Sequence, residues 1–243
     1  MINIVRFVVF YAIVGSLFAA QAQSVNTLSA QERQQGWQLL FNGKDLTGWH
    51  AYLGKGVGKA WRVEEGAIKL DVPVRLGNKA KDGGDIITNA SFAGDFEFKA
   101  DWKVSRLANS GIFFFVTESP TYKHMHDSGL ELQILDDAIY EGAAENMHRA
   151  GDFFGVANAR LRESAPVGQW NQVHVIRKGK QFTVSINGFL VQEHDLTSAD
   201  WKQRLAKSPL KAAPIGSGTL AGHIGLQDWG STVWYRNLKV RPL

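Results

Sequence analysis

The sequence predicts an all-β protein made of two packed antiparallel sheets, and three observations carry that expectation. Short runs of aliphatic, aromatic and β-branched residues recur along the 243 residues, divided by Gly, Asn, Asp and Pro. Phe96, Phe98, Ala100, Trp102 and Val104 alternate with Glu97, Lys99, Asp101 and Lys103, whereas Ile112-Phe113-Phe114-Phe115-Val116 is apolar throughout. A one-sided strand beside a strand buried on both faces requires two layers. Finally, Lys178-Gly179 and Asn187-Gly188 supply residues that tolerate positive φ between alternating runs, so the stretch from Trp170 to His194 reads as an antiparallel meander.

The elements follow in order. Arg6 is the only charge ahead of an apolar run from Phe7 to Ala20, and Ala20-Gln21-Ala22 has the small-x-small form of a cleavage site. Residues 1–22 are therefore expected to be a secretory signal peptide cut after Ala22, since the run is shorter than the ~20 apolar residues of a spanning helix. Residues 23–35, rich in Gln, read as a flexible lead-in, and residues 36–243 as one domain. Strands are expected at 37–41, 61–72, 85–89, 92–104, 111–117, 129–135, 152–156, 171–177, 181–186, 189–194, 222–228 and 233–241. One surface helix is expected over 198–207, with Ser198 as N-cap, Asp200 in the first turn and Lys207 ahead of Pro209.

Composition narrows the function classes. The chain has no cysteine, which excludes disulfides, a thiolate nucleophile and thiolate metal ligands. The net charge of +4 falls to +3 when Arg6 leaves with residues 1–22, giving 26 basic against 23 acidic residues. That slight, scattered excess predicts no nucleic-acid partner. Gly54-Lys55-Gly56-Val57-Gly58 and Gly216-Ser217-Gly218 lack the helix a phosphate loop requires, and neither G-x-S-x-G nor H-E-x-x-H occurs.

The chemistry-bearing segment is Ser128 to Asp137. Leu130, Leu132 and Ile134 alternate with Glu131 and Gln133, so period-2 geometry sends the first set to a core and the second to a groove, with Asp136 at the strand end. Such an E-x-Q-x-x-D set suits sugar hydroxyls or a hard cation. His148, in His148-Arg149-Ala150-Gly151-Asp152-Phe153-Phe154-Gly155, is expected to return to the same rim as a proton acceptor. Gln227, Asp228 and Trp229 would line a carbohydrate site, the indole covering a pyranose face. His124 and His126 are expected on an exposed loop and His174 as a structural strand residue.

In their order, Gly36-Trp37-Gln38-Leu39-Leu40-Phe41-Asn42-Gly43-Lys44-Asp45-Leu46-Thr47-Gly48-Trp49, Asn109-Ser110-Gly111-Ile112, Glu131-Leu132-Gln133-Ile134-Leu135-Asp136, Trp170-Asn171, Asn187-Gly188 and Gly225-Leu226-Gln227 resemble the 3-keto-disaccharide (3-keto-glycoside) hydrolase family. The resemblance covers about Gly36 to Leu243 and implies a concanavalin A-like jelly-roll β-sandwich. Two departures stand out: Trp229-Gly230 where the family commonly has His-Gly, and Phe154 where it often has Tyr.

What the resemblance implies is cleavage of glycosides already oxidised to a ketone at C3. Deprotonation at C2, departure of the C1 group and addition of water give net hydrolysis. His148 or Glu131 would be the base, Asp136 its partner, and Gln133 and Gln227 the holders of hydroxyls. A divalent metal ion on Glu131 and Asp136 would stabilise the enolate. Two other readings stay open: a conventional two-carboxylate glycosidase, and a non-catalytic carbohydrate-binding module using Glu131, Gln133, Asp136 and Trp229. The expected partners are a glycoside or oligosaccharide and a separate sugar 3-oxidoreductase that makes the ketone; the expected location is the periplasm or the medium.

Overall fold

A computed structural model describes residues 24–140, 147–160 and 164–243; the expected signal peptide lies outside them. The strands in chain order are β1 Gln38–Leu39, β2 Trp49–Ala51, β3 Trp61–Glu64, β4 Ala67–Leu70, β5 Arg75–Leu76, β6 Lys79–Ala80, β7 Ile86–Thr88 and β8 Phe92–Ala93, followed by β9 Phe96–Val104, β10 Asn109–Val116, β11 Leu130–Leu135, β12 Asn171–Lys178, β13 Gln181–Ile186, β14 Phe189–Asp195, β15 Ala221–Leu226 and β16 Val233–Pro242. An eight-stranded sheet runs β14-β13-β12-β9-β16-β4-β3 with β1 beside β16. A six-stranded sheet runs β11-β10-β15-β7-β2 with β8 beside β15, and β5-β6 form a separate hairpin. Every described pairing between strands is antiparallel, as the sequence predicts.

Aromatic side chains from both sheets fill the space between the layers. Phe98 meets Phe114 edge-on at 5.5 Å between ring centroids, and Phe114 meets Phe182 at 5.7 Å. The apolar run of β10 serves two cores. Ile112 and Phe114 face inward, while Phe113 and Val116 pack on the other side with Ile87 and Met125. A bulge against β15 between Phe113 and Val116, with Phe115 at φ 61°, returns Phe115 to the main core. Across the outer face of the eight-stranded sheet, Glu97 pairs with His174 and Arg241, and Asp101 with Arg236, so both acids of the alternating strand are buried by their partners.

Several expectations are corrected. The run 61–72 is a hairpin, because Glu65 and Gly66 take positive φ (50° and 72°) and reverse the chain. Residues 92–104 divide into β8 and β9 at Gly94, φ 81°. Residues 152–156 make isolated bridges rather than a strand, since Val156 N donates to Phe153 O and Gly155 at φ 65° closes a tight turn. The lead-in contains a helix, α1 (Ala30–Gln34), closed by a capping box between Ser29 and Glu32, and Glu32 pairs with Lys239. Asn26 bonds Asn237 in both directions. The expected helix is present as α2 (Ala199–Lys207); Ser198 caps it, and Trp201 and Leu205 are buried beneath it. Among the described residues no helix is long and apolar enough to cross a membrane.

Candidate active site

The six-stranded sheet places its functional side chains by register. Glu131 of β11 lies opposite Phe113 of β10, and Gln133 opposite Gly111. On the other flank of β10, Gly225 lies opposite Phe113, and Gln227 N donates to Gly111 O at 3.0 Å. Gln133, Gly111 and Gln227 therefore form one cross-strand row, with Glu131 in the next row on the same face. The missing side chain of Gly111 makes the space: a Cβ there would lie 2.7 Å from Glu131 Oε1 and 2.9 Å from its Cγ.

The result is a cavity of about 180 Å3 lined by Asn109, His126, Glu131, Gln133, His148, Phe154, Gln227 and Trp229. Gln133 Nε2 donates to Glu131 Oε1 at 3.0 Å. The Oε1 atoms of Gln133 and Gln227 are buried without a hydrogen-bond partner. A buried acceptor left unsatisfied costs ~1–3 kcal/mol, so two together on one cavity point to a ligand that brings donors. Glu131 is only 5% exposed. Burial, with the nearby charge of Asp85, pushes its carboxyl up to about 8, against the smaller opposing effects of the Gln227 amide and the Lys79 ammonium. At neutral pH Glu131 is therefore mainly the uncharged acid.

The walls come from two loops. The segment 148–154 runs along the free edge of β11: Gln133 N donates to Asp152 O, Gly151 N to Gln133 O and Phe154 N to Glu131 O. That pairing brings His148 and Phe154 to the cavity, their rings edge-to-face at 4.8 Å. On the other side, the 3₁₀ turn Met125–Asp127 is pinned by Met125, which fills the space above Gly225; a Cβ on Gly225 would sit 2.2 Å from Met125 Sδ. His126 consequently faces inward, with its ring 6.4 Å from the Trp229 ring and 5.0 Å from that of His124. Burial lowers the pKa of His126 below the usual imidazole value, which favours the neutral ring.

Five of the seven sequence-derived site residues thus converge: Glu131, Gln133, His148, Gln227 and Trp229. Asp136 and Asp228 do not. Each is offset from the cavity-facing set by an odd number of residues, so strand parity turns it to the opposite face. Asp136 Oδ2 accepts from Leu107 N at 2.8 Å and Oδ1 from Ala138 N at 3.2 Å, beside a separate depression that it shares with Asp137 and Pro166. Asp228 is fully buried; its carboxylate accepts from Ala80 N, Gly84 N and Gly230 N at 2.7–3.1 Å. Glu131 and Asp136 accordingly do not form a cation site, and among the described residues no group of three His, Asp or Glu side chains could hold one.

His126 and Asn109 also line the cavity and Gly111 leaves it room, positions to which the sequence motifs assigned no site role. The signal for His126 is Met125, an apolar residue inside the polar run His124-Met125-His126-Asp127, which anchors the loop instead of leaving it exposed.

Comparison with known proteins gives a consistent result. The profile of the 3-keto-alpha-glucoside-1,2-lyase-like domain matches residues 36–241. A 3-keto-disaccharide hydrolase of Bacteroides thetaiotaomicron is 28% identical over 92% of this chain and 84% of its own. Among solved structures, a Parabacteroides distasonis protein that carries a provisional glycosyl hydrolase name is 31% identical with a TM-score of 0.79, covering 90% of this chain and 100% of its own. A Bacillus subtilis protein of galectin-like fold, 14% identical with a TM-score of 0.53 over 90% of this chain and 94% of its own, agrees in sandwich architecture.

Proposed function

The chain belongs to the 3-keto-alpha-glucoside-1,2-lyase-like family, which makes it an enzyme of hydrolase type, and we propose that it cleaves 3-keto-glycosides by elimination at C1 followed by hydration. The observation that carries this reading is a buried carboxyl group, which burial biases towards its neutral form, set beside two unpartnered amide acceptors in a cavity with two histidines. Sugar hydroxyls supply the donors that Gln133 and Gln227 lack. At about 180 Å3 the cavity is smaller than the ~300–1,000 Å3 of drug-sized ligand sites, which suits a single sugar ring with its leaving group towards the rim.

The C3 ketone acidifies the C2 proton. A histidine, His148 or the neutral His126, takes that proton, and the C2–H electron pair becomes the enolate. As the enolate collapses to the ketone, C1–C2 becomes a double bond, the C1–O bond breaks and the leaving oxygen receives a proton. Glu131, protonated at neutral pH, is the donor, either hydrogen-bonding the developing C3 oxyanion or protonating the leaving oxygen. Water then adds to C1 and a proton returns to C2, so the net change is hydrolysis. Trp229 stacks on the sugar or aglycone at the rim. Among the described residues that line the cavity Glu131 is the one Asp or Glu, so the described lining offers no second carboxylate for a conventional catalytic pair.

A substrate of this kind has to come from a sugar 3-oxidoreductase, and residues 1–22 direct the chain to the periplasm or medium; both belong to the proposal. N-terminal sequencing of exported protein tests cleavage after Ala22. The central test is release of aglycone or glucose from matched native and 3-keto-glucosides by the mature protein, with and without EDTA. Cleavage of the 3-keto compound alone is expected, and its response to EDTA decides whether a divalent metal ion takes part. Equal cleavage of the native glucoside overturns elimination, and binding without turnover of either moves the protein to a sugar-binding role.

A further inference from the structure

We propose that Tyr52, which lies outside the cavity lining, is the residue that positions His126 for proton transfer, acting through the loop 117–128 that joins β10 to β11. The proposal rests on the reading of that cavity as the reaction site, and it gives a function to a side chain that touches no substrate. Tyr52 follows β2 and shares the face of His50, which lies opposite Ile87 of β7. Strand parity therefore turns it towards the outer cluster of Ile87, Phe113, Val116 and Met125, against which its ring packs.

The loop is closed at its base and tethered from the side. At the base the buried Ser128 hydroxyl accepts from Thr117 N and donates to Thr117 O, both at 3.1 Å. Gly129 lets the two ends come together, since a Cβ there would lie 2.7 Å from Val116 Cγ2. The tethers come from the end of β2. Tyr52 N extends the pairing with a bond to Asp85 O at 2.9 Å, and Leu53 at φ 58° then bends the chain away. From this bend the Tyr52 hydroxyl donates to Tyr122 O at 2.8 Å and stands 3.3 Å from Thr117 O, while Leu53 N donates to Glu118 Oε1 at 2.8 Å. His50 Nε2 adds a contact of 3.1 Å to Glu118 Oε2.

Tyr52 thus holds the loop twice, by its ring against the Met125 seat and by its hydroxyl on the backbone three residues earlier. His126 follows Met125 directly. Its ring makes none of the described hydrogen bonds, and Asp127 Oδ1, 3.7 Å from Nε2, is beyond hydrogen-bond reach. Its neighbours are the rings of Trp229 at 6.4 Å and His124 at 5.0 Å. With no hydrogen bond to fix the imidazole, its direction is inherited from the loop backbone that Tyr52 ties to the sheet. Proton transfer needs the reacting atoms within hydrogen-bond reach, so a shift of about 1 Å in that backbone is felt in the rate.

Tyr52→Phe keeps the ring in its cluster and removes only the hydroxyl. In the mature protein it should lower kcat on a 3-keto-glucoside about tenfold with KM within about twofold, while the thermal melt stays within a few degrees of the wild type. General loosening of the scaffold lowers kcat in every background, whereas a residue that acts through His126 has nothing left to act on once that ring is gone. Adding Tyr52→Phe to His126→Asn should therefore change kcat by less than about twofold. In an active protein, unchanged kcat in Tyr52→Phe, or losses that multiply in the double variant, overturn the proposal. NMR gives a readout that needs no turnover. Nuclear Overhauser contacts between the His126 imidazole and Trp229 indole protons should be present in the wild type and weaken in Tyr52→Phe, and contacts of equal strength in both overturn the proposal. Weakened contacts in a protein that turns over no 3-keto substrate would support the positioning of His126 by Tyr52 while refuting the proposed reaction.

Discussion

Replacing Glu131 by glutamine should stabilise the protein increasingly as pH rises while removing its activity. Burial and Asp85 raise the Glu131 carboxyl from 4.5 to about 8. The folded protein therefore holds a proton that the unfolded chain releases above 4.5. Between those values the wild type loses about 1.4 kcal/mol of stability per pH unit, amounting to ~5 kcal/mol by pH 8. The replacement amide has nearly the same shape, can still accept from Gln133 Nε2 and carries no ionisable group. Below pH 4.5 the two proteins should melt within a few degrees of each other. At pH 8 the variant should melt on the order of 10 °C higher, at ~2–4 °C per kcal/mol for a chain of this size. Thermal melts followed by circular dichroism at half-unit steps from pH 4.5 to 8.5 give the difference directly. A difference in Tm that stays flat across that range would refute the neutral-acid assignment and with it the proton-donor role.

Gly111→Ala should put a methyl where the Glu131 carboxylate lies, 2.7 Å from its Oε1, and lower kcat by ~100-fold with a cost of ~1–3 kcal/mol in a denaturant melt. Trp229→Ala should raise KM about tenfold with kcat within a few-fold, the pattern of a lost stacking surface, read from steady-state kinetics on a 3-keto-glucoside. Asp136→Ala should leave kcat/KM within a few-fold, because its carboxylate serves the Leu107 and Ala138 N–H groups away from the cavity. Asp228→Ala should cost ~3 kcal/mol or more by leaving several buried N–H groups unpaired, measured by urea unfolding.

The parts of the fold that were legible in the sequence are those written in local pattern. Alternation in β9 and the turn residues of the β12–β14 meander depend on neighbours within a few positions, and both appear as expected. The β3–β4 hairpin was not legible as a break because a turn at Glu65-Gly66 places a charged residue at positive φ, where Asn or Asp is the usual marker. The α1 helix, only five residues long, owes its place to Glu32 reaching Lys239, a partner 207 residues away. The site divides in the same manner. Glu131 and Gln133 follow from period-2 alternation, whereas His126 depends on Met125 seating over Gly225 of a strand about a hundred residues later.

Strand parity also explains why only one of the acids near this site is set up for chemistry. Residues 131, 133 and, across β10, 227 fall on the cavity face; residues 136 and 228 fall on the other, where each carboxylate meets backbone N–H groups. Asp152 is placed as Asp136 and Asp228 are, accepting from Arg149 N and Ala159 N to shape the loop that carries His148 and Phe154. Asp137 holds the same loop through Ala150 N. Burial raises the carboxyls of Asp137 and Asp152, and the backbone N–H groups they grip pull against that rise, because the anion is the form such donors favour. Glu131 differs in its surroundings, receiving amide contacts from Gln133 and Gln227 but no backbone N–H among the described hydrogen bonds. The acids that brace the loops therefore fix the walls of the cavity, and the one left without backbone donors retains a proton within it.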